Sequence, residues 1–263
     1  MLINSVVLVL REVLEAALLL SVMLALSLNL RCSMRWLALC LPLAVLGIGL
    51  FAVFLDSITD ALEGTGQELL TAGLQLAAFA ACLLVICLGE RVRAGARQSP
   101  LLALGFSIAV ICAMVREGAE IYLYVTAFAA SPDQRTAVYV GAVIGAGIGV
   151  SLGVLAYGGL RAMSARAAYV LCLCLVAVIG AGLVVQSSQL LEQIDWIAPG
   201  EPLWNTSAWL SEESVPGQLL YAVVGYEASP APLQAWLWLG SALAVPAAWW
   251  LGRAPWRQRR APA

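Results

Sequence analysis

The chain has 263 residues, of which 62% are hydrophobic and 11% charged, with a formal net charge of −2. Soluble domains carry about 25% charged residues, so the composition excludes an ordinary soluble protein and predicts an all-α polytopic membrane protein, one domain over residues 1–263. Near-neutral charge says nothing about nucleic acid, but no basic cluster large enough to bind it exists outside the last few residues, so none is expected as a partner. There is no His and no Lys. That removes a His-ligated haem, a His-ligated zinc enzyme, the usual copper sites and a Ser-His-Asp triad. Any metal is left to oxygen donors or Cys thiolates, and any buried cation must be Arg.

Seven apolar segments, near residues 3–29, 36–55, 69–89, 101–129, 137–160, 168–190 and 233–252, are each long enough to cross a hydrocarbon core of about 30 Å. The first carries Arg11-Glu12-Val13-Leu14-Glu15 in its middle. No basic residue precedes that run and three charges interrupt it, so it does not read as a cleavable signal peptide. Ionisable side chains at bilayer depth cost roughly 2.5–3.5 kcal/mol each on insertion scales and therefore point to function. On a helix Arg11 and Glu15 are i,i+4 neighbours and the two Glu are i,i+3 neighbours, so all three share a face.

Between the second and third segments lie Asp56, Asp60 and Glu63, and the third opens on Gly64-Thr65-Gly66-Gln67-Glu68. Glu68 reads equally as a relay carboxylate on the way in and as an exposed Glu matching a helix dipole. Asp56, Asp60 and Glu63 join it as candidate relay residues. The fourth segment repeats the charged pentad as Arg116-Glu117-Gly118-Ala119-Glu120. The longest connection, 191–232, holds acids, prolines, Trp196, Trp204, Trp209, Tyr221 and Tyr226. Its aromatics are ordinary for a membrane interface. Asn205-Thr206-Ser207 is a weak glycosylation sequon, and Ser211-Glu212-Glu213-Ser214 reads as the start of a short amphipathic helix. The seven Cys read as small apolar packing residues with no disulfide framework.

Arg31, Arg35, Arg91, Arg93, Arg97, Arg161, Arg166, Arg253, Arg257, Arg259 and Arg260 follow the odd-numbered segments, and only Arg135 lies at the other side. The positive-inside rule makes the first side cytoplasmic. The N-terminus is then outside and the C-terminus inside, with a cytoplasmic tail at 253–263. Most acidic residues fall on the opposite side. They form either a vestibule that concentrates cations or simply polar loops.

Segments 1–3 and 4–6 run in opposite senses. They read as two inverted three-helix repeats, about 1–97 and 98–190, followed by an outer loop at 191–232 and a seventh helix at 233–252. Such repeats place transport sites near the midplane. The facing pentads then supply four carboxylates, Glu12, Glu15, Glu117 and Glu120, supported by Arg11 and Arg116. The sum is −2, better balanced with a multivalent cation. Carboxylate oxygens suit iron, manganese, magnesium or calcium. The alternative is an Arg–Glu network that only joins helices. Two copies in antiparallel spans argue against it.

The pentads, with Gly66-Gln67-Glu68-Leu69 and the stretch Ser211-Glu212-Glu213-Ser214-Val215-Pro216-Gly217-Gln218-Leu219-Leu220 through Gly225-Tyr226 to Pro230 and Gln234, are similar to the oxidase-dependent iron permeases. This is also called the iron/lead transporter family, and it includes the fungal high-affinity and bacterial ferrous iron permeases. The resemblance covers nearly the whole chain. It implies a multi-pass permease of the bacterial inner (plasma) membrane that moves iron inward, with the Glu of both motifs as ligands. No cofactor is permanently bound, and iron is the cargo. It further implies ferric iron supplied by an extracytoplasmic partner: a multicopper oxidase, a cupredoxin-like protein or a haem-peroxidase system. Family members often carry a Glu where this chain has Thr71 and an Asp where it has Asn205, so a carboxylate is lost at each. Manganese or lead as cargo stays open. A lipid-pyrophosphate phosphatase-like intramembrane enzyme also uses paired Glu in an inverted repeat, but the phosphate-binding Ser-Arg-Ser that it needs after a Pro-Gly is missing.

Overall fold

The structure is a computed structural model that describes residues 1–198 and 200–257. Among these residues it is helical and contains no strand. Its elements are α1 (Leu2–Asn29), α2 (Arg35–Val53), a short α3 (Leu55–Asp60) running into a 3-10 turn (Ala61–Gly64), α4 (Gly66–Arg93), α5 (Pro100–Ala129), α6 (Pro132–Ala162), α7 (Ala165–Gln193), a short α8 (Val215–Val224) and α9 (Pro232–Arg257). The long helices match the seven expected segments to within a few residues. α2, α4, α5, α6, α7 and α9 are each apolar and long enough to cross a membrane. α1 has 28 residues and holds Arg11, Glu12 and Glu15. Residues 258–263, with Arg259 and Arg260, lie outside the described residues; the expected tail begins as the end of α9.

Local chemistry starts several of these helices. The Ser99 hydroxyl accepts from the Leu101 N–H at 3.2 Å, with Pro100 as the first helical residue. Ser131 precedes Pro132 at the start of α6, where its side chain makes no capping hydrogen bond. The Ser214 hydroxyl accepts from the Gly217 N–H at 3.1 Å and opens α8. A Ser N-cap followed by Pro is the favoured beginning, because Pro gives up an N–H that has no helical partner there. The expected amphipathic start at Ser211 is therefore displaced to Val215.

Two of the helix pairs occupy corresponding places in the chain, and the first is the more extensive. α1 packs along α6, and α5 packs along α2. The first contact is set by Gly141, Gly145, Gly149 and Gly153, one per helical turn and all buried against α1. A Cβ at Gly145 would stand 2.5 Å from the Val6 carbonyl oxygen, and one at Gly153 2.6 Å from the Ala17 Cβ. Small residues at this spacing let two backbones approach closely, which is how helices associate where water supplies no driving force. The second contact uses Gly47, where a Cβ would meet Val115 at 2.5 Å. α4 and α7 lie against each other and close the bundle with α9.

A large apolar core fills one half of the bundle, around Leu19, Met23, Leu26, Phe106, Val110 and Val176. Trp36 stacks on Phe106 at 5.3 Å, and its indole N–H donates to Ser27 at 3.0 Å. The lipid-compatible exterior is carried by Leu39 and Val45 on α2 and by Val143 and Leu155 on α6, all well exposed.

One end of the bundle is tied by charge. Glu90 of α4 is buried and accepts from the Arg253 Nε–H at 2.7 Å, with Arg93 Nε at 3.4 Å. Arg93 also donates to Asn29 of α1 at 2.8 Å and lies 3.8 Å over the Tyr169 ring of α7. Four helices meet there. Gly252 permits the approach, since a Cβ on it would sit 2.8 Å from the Glu90 Cβ.

Candidate functional site

α1 and α5 cross in the bundle, and the crossing brings the two pentads face to face. Within each helix the Arg pairs with the adjacent Glu: Arg11 with Glu12 at 2.7 Å, Arg116 with Glu117 at 2.6 Å. Each also reaches the Glu one turn on, Arg11 to Glu15 at 3.8 Å and Arg116 to Glu120 at 2.9 Å. Between the helices Arg116 donates to Glu15 at 2.8 Å, and Arg11 lies 3.8 Å from Glu120. The pattern is the same read from either helix, so six charged groups form one crossed network. Glu12, Glu15, Arg116 and Glu117 are buried, while Arg11 and Glu120 are partly open.

The four carboxylates are not equivalent. Glu12, Glu117 and Glu120 each present one oxygen within 4.8 Å of the others. Glu15 stands outside this trio; Arg116 donates to its Oε2 as it does to Glu117, and its Oε1 is buried without a hydrogen-bond partner among the described residues. Among the described residues, nothing donates to Glu12 Oε2 or Glu117 Oε2, although both oxygens are buried. An ionised carboxylate only accepts, and leaving a buried acceptor unmatched is costly. Carboxylate oxygens are the donors that hard cations take.

A cavity of about 160 Å³ adjoins the network, lined by Arg11, Arg116, Glu120 and by neutral polar groups that include Gln75, Gln186 and Tyr221. Gln75 of α4 and Gln186 of α7 are both buried. The Gln75 amide donates to Gln186 Oε1 at 2.9 Å, and the Gln186 amide reaches Glu15 Oε2 at 3.5 Å. Sequence reasoning passed over both. The available signal was an amide in the middle of an apolar span, the neutral counterpart of the charges that were noticed.

The candidate relay residues are placed apart from the network. Asp56, Asp60 and Glu63 are exposed on α3 and the 3-10 turn, and none of them lines this cavity. Leu62 and Glu63 there have left-handed backbones, φ 53° and 64°. Glu68 is half-buried in the first turn of α4, seven residues before Gln75 and so about 10 Å along the same helix face. Its Oε2 is buried, with no hydrogen-bond partner among the described residues.

α8 borders the same cavity through Tyr221. Arg11 lies 5.4 Å from the Tyr221 ring centroid, and the Tyr221 hydroxyl donates to Gln189 at 2.7 Å. The Gln189 amide donates to Glu227. Glu227 is half-buried beside Glu212 and Glu192, and burial followed by these two charges pushes its carboxyl up to about 7. Glu192 in turn accepts from the Gln234 amide at 3.3 Å. Gly225 ends α8 in the left-handed conformation, φ 66°, and a Cβ there would lie 2.6 Å from the Gly182 Cα of α7. The Asn205 of the weak sequon is used locally, its side-chain oxygen accepting from the Ser207 N–H at 2.9 Å.

The seven Cys are free thiols. Cys40, Cys82 and Cys172 pack in the core, whereas Cys174, one residue beyond the next, is exposed.

A family profile described as the iron permease FTR1 family matches residues 2–252. No curated protein and no protein of solved structure matches the chain.

Proposed function

This chain belongs to the iron permease FTR1 family, a family of multi-pass transporters and not of enzymes, and on that premise we propose that it carries iron inward through the carboxylates of its two pentads. The observation that carries this reading is the convergence of Glu12, Glu117 and Glu120, with buried oxygens on Glu12 and Glu117 that lack a hydrogen-bond donor among the described residues. Arg11 and Arg116 hold the side chains in place between transport events. Because four carboxylates face two guanidinium groups, the site sums to −2; a ferric ion takes it to +1 and a divalent ion to neutrality, so either is better balanced than the empty site. Ferric iron handed over by an extracytoplasmic oxidising or iron-binding partner is the form proposed.

Seven crossings in the bacterial inner membrane, with the N-terminus outside, go with this mechanism. The matched contacts of α1 on α6 and α5 on α2, and the matched ion pairs of the two pentads, support an inverted repeat. Glu68, and beyond it Asp56, Asp60 and Glu63, serve as the relay that delivers the ion, and Glu227 lies on the same outer side. An inside-negative potential then drives the cation in, by about 2.3 kcal/mol per charge per 100 mV.

The test is uptake of radioactive iron by cells lacking other iron importers, with each variant quantified in the membrane. Glu12→Gln and Glu117→Gln are expected to abolish uptake while the protein still reaches the membrane. Full uptake by both variants would falsify the carboxylate path. A parallel competition series with manganese and lead measures how far the oxygen-donor site discriminates.

A further inference from the structure

Glu15 differs from the other three motif carboxylates in one contact. Arg116 reaches Glu15, Glu117 and Glu120 alike, but the Gln186 amide approaches Glu15 alone, its Oε2 at 3.5 Å. Behind Gln186 stands a chain of buried groups: Gln75 donates to Gln186 Oε1 at 2.9 Å, and Gln75 Oε1 accepts from the Ser187 hydroxyl at 2.9 Å. All three residues are buried.

The polarity of this chain is fixed at its Glu15 end. A carboxylate accepts only, so Gln186 must turn its NH2 toward Glu15 and its carbonyl toward Gln75. Gln75 must then offer its NH2 to Gln186, which turns its carbonyl toward the Ser187 hydroxyl, whose one proton is shared with the Leu183 carbonyl of its own helix at 2.7 Å. Glu15 thus sets the orientation of both amides.

We propose that Gln186 and Gln75 are positioning residues that keep Glu15 on Arg116 and so hold Glu12, Glu117 and Glu120 available to the cation. This rests on the carboxylate reading of the site. Arg116 faces three carboxylates, Glu15, Glu117 and Glu120, at 2.6–2.9 Å. As long as Glu15 is anchored, part of the guanidinium is committed to it. Arg116 already pairs with Glu117 and Glu120 at 2.6 and 2.9 Å; when the anchor is lost it is committed to these two alone, and an arriving cation competes with a guanidinium that no longer shares itself with Glu15. The role is therefore in affinity for the cation and not in the height of the bundle's stability.

The experiment measures iron uptake against iron concentration, per copy of protein in the membrane. The variants are Gln186→Leu, Gln75→Leu, the double variant, and Ser188→Ala as a control. Ser188 is buried two residues after Gln186, and its hydroxyl bonds only the Val185 carbonyl of its own helix. Gln186→Leu is expected to raise KM by about tenfold, the scale of one hydrogen bond to a charged group, with a smaller change in maximal rate. Gln75→Leu raises KM less. The double variant matches Gln186→Leu alone, because Gln75 acts through Gln186. Ser188→Ala leaves KM unchanged.

An unchanged KM in Gln186→Leu, or additive effects in the double variant, overturns the positioning role. If Gln186→Leu does not reach the membrane, Gln75→Leu decides alone, and an unchanged KM there overturns it as well. Normal transport by Glu12→Gln and Glu117→Gln is a separate result, which removes the carboxylate reading and this proposal together.

Discussion

Arg116 is the residue on which most of the site's electrostatics converge. It is buried and joins three carboxylates, two of them buried as well. Taking one partner out of a buried ion network leaves the others uncompensated, at about 3–5 kcal/mol. Arg116→Leu is accordingly expected to lower the thermal midpoint of the purified protein well beyond what Arg11→Leu does, since Arg11 is partly open. Thermal unfolding of the two variants side by side measures this. Arg116→Lys retains the charge but not the planar fork that spans three acceptors, so it is expected to fall between Arg116→Leu and wild type.

Glu227 gives the outer side a pH response whose sign can be worked out. Its carboxyl is pushed from an ordinary 4.5 up to about 7 by burial and by Glu212 and Glu192. The folded form therefore holds a proton that the unfolded chain has already lost. Stability of this corner is highest below about pH 4.5 and declines as pH rises through about 7. Hydrogen exchange over residues 205–230, corrected for intrinsic rates, should show weaker protection at pH 8 than at pH 5. Glu227→Gln should remove the difference. Equal protection at both pH values in the wild type would count against this account.

At the scale of elements, the contact between α1 and α6 is the most demanding. Gly145 faces the Val6 backbone with no room for a Cβ, whereas Gly147, two residues on, has nothing within 4 Å. Gly145→Val is expected to separate α1 from α6 and to lose folded protein from the membrane. Gly147→Val should accumulate normally and transport iron. Quantitative blotting of membranes and iron uptake distinguish the two.

The helices were legible in the sequence because apolar length is a local property. The pentads were legible because charge inside an apolar segment is rare enough to stand out. What could not be read was the division of labour among identical motifs. Glu15 and Glu120 hold matching places in their pentads, but Gln186 approaches Glu15 and the trio takes Glu120. That difference comes from α7, more than 170 residues away from Glu15 in the chain. No local pattern carries it. Glu68 illustrates the opposite case: its place in the first turn of α4 was evident, and its unmatched buried oxygen was not.

At the scale of the whole molecule the two ends differ in kind. One end is bound by the Glu90, Arg93 and Arg253 cluster, which draws in Asn29 and Tyr169 and so ties α1, α4, α7 and α9. Gln98 adds to it by donating to the Leu30 and Arg31 carbonyls. The turns after α1, α4 and α6 therefore gather at this end, and it is the end that holds most of the Arg residues. Asp56, Asp60, Glu63, Glu212 and Glu227 belong to the turns at the other end. If the Arg-rich end is cytoplasmic, as the positive-inside rule requires, single cysteines at Gln98 and Asn205 in a background without native cysteines should label from opposite sides of the membrane. An impermeant thiol reagent applied to intact cells or spheroplasts should reach Asn205→Cys directly and Gln98→Cys only after the membrane is opened. Labelling of both from outside would break the odd number of crossings, and with it the antiparallel relation that sets the two pentads against each other. The same preparation can be loaded with iron. Since α8 touches Arg11 through Tyr221 and reaches Glu227 through Gln189, a cation drawn to the carboxylates should loosen Arg11 and change reagent access at Asn205, while leaving Gln98 unaltered as long as the Glu90 cluster holds.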